Sequence, residues 1–172
     1  MKAIGFRLVT IPAGTVELRD ARSGSSREVT LRPFKIGQTQ VTWADWGRGF
    51  DDADTPGPSP KAPAHPVTWF DAVQWCNEAS ATAGLRPAYQ LRGREFTWDV
   101  SADGFRLPTE AEWEWSCRAG TRDPTYGALS DIAWTASDQV AGPQDVARRV
   151  QGGPRACGRA WRASRTRLVG GS

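Results

Sequence analysis

The chain has 172 residues, room for one domain of ordinary size, and its 39% apolar and 24% charged residues mark it as globular, not disordered. Thirty residues are Gly or Pro and nine are Trp, a composition that predicts many turns and little regular structure. The net charge of +3 is unevenly placed: residues 141–172 hold seven arginines against one acid, Asp145, so that segment carries +6 and residues 1–140 carry −3. No window approaches the roughly 18 apolar residues of a membrane span, and Met1–Thr10 lacks the pattern of a secretory signal, so the expectation is a cytoplasmic chain.

Taken in order, Phe6–Ile11 (FRLVTI) is an apolar, β-prone run that stops at Pro12-Ala13-Gly14. Val16–Leu18 begins a second strand. Arg22–Arg27 is a Ser/Gly-rich turn, and Val29 and Leu31 alternate with polar residues in a half-buried strand ending near Phe34. The first forty residues therefore predict a short β-meander. Thr42 with Asp45 is a helix-start pattern, and Gly47 and Gly49 keep that helix short. Asp51–Pro63, with three Asp and four Pro, predicts a loop; it lacks the ligand spacing of an EF-hand.

Thr68 with Asp71 opens a clearer helix. Ala72, Val73, Cys76 and Ala79 give it one apolar face, and Gly84 is its stop. Tyr89–Val100 alternates around Gly93, which predicts a short hairpin. Thr109 and Glu112 form a capping box that opens a third helix, with Trp113 toward the core, Cys117 one turn on and Gly120 at its end. Glu110, Glu112 and Glu114 read as complements to the helix dipole and not as catalytic carboxylates. Beyond Trp134 the periodicity fades.

Three cysteines, Cys76, Cys117 and Cys157, show no repeated spacing, which argues against a disulfide framework and makes Cys76 and Cys117 small buried hydrophobes. A zinc site needs more Cys or His than this chain with its single His65 supplies.

Four blocks then carry a resemblance: Val9–Thr15 (VTIPAGT), Phe34–Trp43 (FKIGQTQVTW), Pro63–Asn77 (PAHPVTWFDAVQWCN) and Phe105–Gly120 (FRLPTEAEWEWSCRAG). In this order they resemble the formylglycine-generating-enzyme-type, or sulfatase-modifying-factor, domain family, and the last block is highly specific. The resemblance implies an α+β, C-type-lectin-like fold with short strands, two main helices and much irregular loop. It implies structural roles for Trp69, Trp113 and the Arg106–Glu112 stretch, and a loop His65 that bonds backbone or water instead of acting as a base.

The family's C-terminal third is missing or divergent here. The family's enzymes use a closely spaced cysteine pair in that third to bind copper and oxidise a substrate cysteine. This chain offers only Cys157 there, and one thiolate does not make a two-thiolate site. The family's calcium ligands also fall mostly in the missing blocks, and the related ergothioneine-type sulfoxide synthases need a histidine set that one His cannot provide. The expected organisation is a partial family domain over residues 1–140 and an Arg/Gly-rich ending over 141–172. That ending is either a genuine divergent surface or the product of a frame slip after about residue 141. No catalytic, cofactor-binding or metal residue is assigned.

The expected function is a non-catalytic domain that binds an unknown protein or small ligand, as do non-enzymatic relatives such as the variable proteins of diversity-generating retroelements. The alternatives are a truncated copper-dependent oxidase and a nucleic-acid contact through Arg148, Arg149, Arg155, Arg159 and Arg162. For the last, a single aromatic, Trp161, leaves little base stacking.

Overall fold

A computed structural model describes residues 5–20, 22–49, 59–93, 95–118, 144–147 and 169–170. The chain opens with strands β1 (Leu8–Ile11), β2 (Gly14–Arg19), β3 (Ser26–Leu31) and β4 (Phe34–Gly37). They are not a meander. β2 pairs with β3 and β1 with β4, and the two pairs share one continuous register: Ile11 faces Phe34, Gly14 faces Leu31 and Arg19 faces Ser26. The four segments are thus one long hairpin, broken where Pro12 falls opposite Pro33. Neither proline has an N–H to give the ladder. The chain reverses at Asp20–Ser25, where the Asp20 carboxylate accepts the Arg22 N–H (2.9 Å) and the Ser23 hydroxyl (2.8 Å) and Gly24 sits at φ 68°. A two-residue strand, β7 (Val169–Gly170), pairs antiparallel with β4, in a segment where the sequence shows no periodicity.

Among the described residues three helices follow, each opened by the same device. In α1 (Trp43–Gly49), α2 (Trp69–Thr82) and α3 (Glu110–Arg118), a threonine hydroxyl accepts the N–H of an acid three residues on. The acid's carboxylate in turn accepts that threonine's own N–H: Thr42 with Asp45, Thr68 with Asp71, Thr109 with Glu112. Each cap places a negative charge at the positive helix end. α2 ends at Gly84, φ 74°, as its sequence predicts. The expected end of α3 at Gly120 lies outside the described residues.

The main core gathers around α2. Val73, Trp75, Cys76 and Ala79 pack with Val41, Ala88, Tyr89 and Phe105. Trp46 of α1 stacks on Trp75 at 5.8 Å between ring centroids, and the Trp75 indole N–H donates to the Trp46 carbonyl (3.1 Å). A second helix–strand contact holds the first hairpin. Val16 and Leu18 on β2 alternate with exposed Glu17 and Arg19, and they bury against Ala111 and Trp115 of α3. Trp115 also reaches the proline break: its indole N–H donates to the Pro12 carbonyl (3.0 Å), with the ring lying on Gly14. Trp113, expected toward the core, is only half-buried. The inward face of α3 is Ala111, Glu112, Ser116 and Cys117.

Cys76 is a free and fully buried thiol, and burial pushes its pKa up, so it behaves as the small hydrophobe expected. Cys117 is equally buried but disulfide-bonded, contrary to the reading of it as a free hydrophobe. The single histidine, His65, is half-buried and precedes a cis proline.

Candidate functional site

The stretch Gly104–Glu112 is a scaffold. Gly104 passes so close to its neighbours that an added Cβ would lie 2.2 Å from the Arg86 carbonyl oxygen and 2.6 Å from Ser80 Oγ. The buried Ser80 hydroxyl donates to the Cys76 carbonyl and accepts the Phe105 N–H, both at 2.7 Å, which ties this strand-like run to α2. Leu107 N–H donates to the Tyr89 hydroxyl (3.0 Å). Arg106 makes a two-pronged pair with Glu112, with N–O distances of 2.7 and 2.6 Å. Burial alone would raise the Glu112 pKa. The Arg106 guanidinium and the Thr109 N–H and hydroxyl outweigh it and hold the carboxyl below its usual range. These residues support the chain in the structural role the resemblance implies.

Above this scaffold lies an aromatic surface. The hairpin β5 (Tyr89–Arg92) and β6 (Glu95–Trp98) turns at Gly93, φ 62°. Phe96 and Trp98 project from one face of β6, and Trp69 and Phe70 stand at the first turn of α2. Their exposures are 50%, 39%, 40% and 43%, high for side chains this large. Trp69 meets Phe96 edge-on at 4.5 Å and Phe70 at 5.1 Å. Arg106 places its guanidinium carbon 5.3 Å from the centre of the Trp98 ring, so the ion pair below braces the aromatic surface above.

Trp69 is therefore a surface residue, and its expected structural role gives way to membership of this cluster. The sequence does carry a trace of the cluster: Phe96 and Trp98 stand two apart in a strand pattern, and Trp69-Phe70 fall just after a cap, where the buried face of α2 has not yet begun.

Among the described residues no group of three His, Cys, Asp or Glu is placed to hold a metal ion. The described cysteines do not fit a copper site of the two-thiolate kind, because Cys76 is buried and protonated and Cys117 is already oxidised. Cys157 and the basic set Arg148, Arg149, Arg155, Arg159 and Arg162 lie outside the described residues. Among the described residues no helix is long and apolar enough to cross a membrane.

This pairing of a bent hairpin, short sheets and capped helices defines a C-type-lectin-like α+β domain. The chain belongs to the sulfatase-modifying factor enzyme 1-like domain family, whose model matches residues 4–146. The chaperone protein LppX of Paenibacillus barcinonensis is 30% identical over 147 residues, covering 74% of this chain and 52% of that protein. The inactive C-alpha-formylglycine-generating enzyme 2 of Mus musculus is 27% identical over 152 residues, covering 69% and 49%. The chain thus spans about half the length of these curated relatives. Among solved structures, Treponema denticola variable protein 1 superposes with a TM-score of 0.75 at 25% identity, covering 86% of this chain and 68% of that one.

Proposed function

We propose that this chain is a non-catalytic recognition domain that binds a protein or small ligand through the surface formed by Trp69, Phe70, Phe96 and Trp98. The carrying observation is that these four large aromatic side chains are exposed together on a rigid scaffold, where a soluble domain ordinarily buries them. Two further points support the reading. Neither described cysteine is a reactive thiolate. One relative is named an inactive enzyme and another a chaperone protein, names compatible with a non-catalytic role.

Residues 1–140 form the recognition body in this reading, and residues 141–172 form its Arg/Gly-rich ending. The Val146 N–H donates to the Lys61 carbonyl (3.0 Å) and β7 pairs with β4, so parts of that ending rest on the body. A cytoplasmic location belongs to the same proposal, and the disulfide at Cys117 weighs against it, because reducing compartments keep thiols free.

The test is incubation of the full chain with copper, oxygen and a peptide bearing a sulfatase-type cysteine. The expected result is no aldehyde above a protein-free control. Catalytic turnover of the peptide would remove the non-catalytic reading.

A further inference from the structure

Among the described residues, the β5–β6 hairpin has a side-chain cap on part of its β5 edge and none on its β6 edge. β5 ends at Arg92 and β6 begins at Glu95, so the closing pair exchanges both backbone hydrogen bonds and the ladder alternates from there. Gln90 and Thr97 are again a bonded pair. Leu91–Phe96 and Tyr89–Trp98 are not, and the N–H and C=O groups of these four residues point away from the hairpin. On the β5 side the outward groups of Tyr89 are both taken by the Asn77 side chain: its amide donates to the Tyr89 carbonyl (2.7 Å), and its carbonyl accepts the Tyr89 N–H (3.1 Å). On the β6 side the outward groups of Phe96 and Trp98 meet no such partner among the described residues. All four residues of β6 are exposed, and among the described residues the sheet has these two strands.

On β6 the residues whose outward backbone groups have no partner among the described residues are the same two that present exposed aromatic rings. The opposite face of the strand carries Glu95 and Thr97, followed in register by Asp99, so the β6 side of that face is acidic, with Arg92 facing Glu95 from β5. A free row of N–H and C=O groups is matched by another polypeptide backbone and not by a small apolar ligand. A second copy of this chain fits poorly. The fullest antiparallel overlap of two β6 strands sets Phe96 against Trp98 and Glu95 against Asp99, bringing two carboxylates face to face.

We propose that the open edge of β6 accepts an extended segment of a partner protein as an added antiparallel strand. Its apolar residues lie beside Phe96 and Trp98, and Lys or Arg residues alternate with them opposite Glu95 and Asp99. This rests on the recognition-domain reading and names the partner's chemistry: an amphipathic, basic β-strand.

The test uses the full chain, isotopically labelled, and a blocked peptide that alternates Val and Lys. Backbone NMR is expected to show the Phe96 and Trp98 amide protons, open in the free protein, becoming protected from exchange as peptide is added. In the bonded pairs the Val residues face Phe96 and Trp98. N-methylation of the Val amides therefore weakens binding about tenfold, while N-methylation of the Lys amides leaves it unchanged. A peptide with Glu in place of Lys binds more weakly.

In the protein, Phe96→Ala removes the ring, and Phe96→Pro removes the outward N–H as well without taking a ladder bond from β5. Phe96→Pro is expected to bind several-fold more weakly than Phe96→Ala. If Phe96→Pro does not fold, the N-methylated peptides decide the matter on the unaltered protein. Peptide binding that ignores Val N-methylation, shifts confined to the aromatic side chains, or protection of the two amides by self-association without peptide would each overturn the proposal. Absence of these effects together with absence of copper-dependent turnover removes strand addition alone. Turnover removes the non-catalytic reading beneath it.

Discussion

Glu112 serves three partners at once. Its carboxylate closes the α3 cap on Thr109, neutralises Arg106, and through Arg106 steadies the Trp98 ring. Replacing it with Gln leaves a mostly buried guanidinium without its counter-charge, so E112Q is expected to lose about 3 kcal/mol of stability, measured by denaturant unfolding. The loss depends on pH in a defined direction. The folded carboxyl has a lower pKa than the unfolded one, so its stabilisation is fully present above the unfolded value, near pH 4.3. It is lost as pH falls through the lower, folded value. The gap in melting temperature between wild type and E112Q should therefore narrow as the pH drops from about 6 to about 3. A gap that stays constant would show that the carboxylate's charge contributes nothing. The capping role of Glu112 is legible in the sequence from the Thr-x-x-Glu spacing. Its pairing with Arg106 is a matter of side-chain reach that no spacing rule specifies.

At the scale of elements, the first hairpin and α3 depend on one close contact. A Cβ on Gly14 would lie 2.0 Å from Trp115 Cζ2, and the ring cannot swing away without giving up its bond to the Pro12 carbonyl. Gly14→Ala is expected to cost about 1–3 kcal/mol, read as a lower midpoint in urea unfolding. Gly24→Asn, at a left-handed turn position with open space around it, should cost far less, and the contrast separates crowding from backbone preference. Equal effects would sink the packing account. The first three strand segments can be read from their apolar runs and alternation, the fourth (Phe34–Gly37) is not so read, and each helix start can be read from its cap. The connection between them cannot. A Pro-Ala-Gly sequence looks like a reversal, yet here it is a break in a strand that continues, because the true reversal at Asp20–Ser25 fixes the register for everything on either side.

For the whole molecule, the exposed aromatic surface has a consequence that needs no known partner. The native chain should bind a hydrophobic fluorescent dye, and the double substitution Trp69→Ser with Phe96→Ser should lower the signal while leaving the melt cooperative. Dye binding that survives the double substitution would place the apolar surface elsewhere. Of the proposed recognition surface, the sequence shows each residue but not their meeting. Trp69 belongs to a helix start and Trp98 to a strand more than two dozen residues later, and α2 and β5 bring them together by packing Asn77 against Tyr89.

The sequence by itself determined the local structure: where helices begin, where strands alternate, which run carries the family's signature, and that the charge is concentrated after residue 140. Those are properties of neighbours along the chain, set by capping geometry and side-chain period. Only the tertiary structure decided which large side chains stay outside, which glycine lies under a ring, that β1 finds β4 instead of β2, and that Asn77 caps Tyr89 on one edge of the second hairpin. Each of those depends on what arrives from a distant part of the chain. An exposed Trp69 and a buried Trp75 sit less than two turns apart on the same helix, and their fates differ because α1 and Phe6 cover one while Phe70 and Phe96 cover the other only in part.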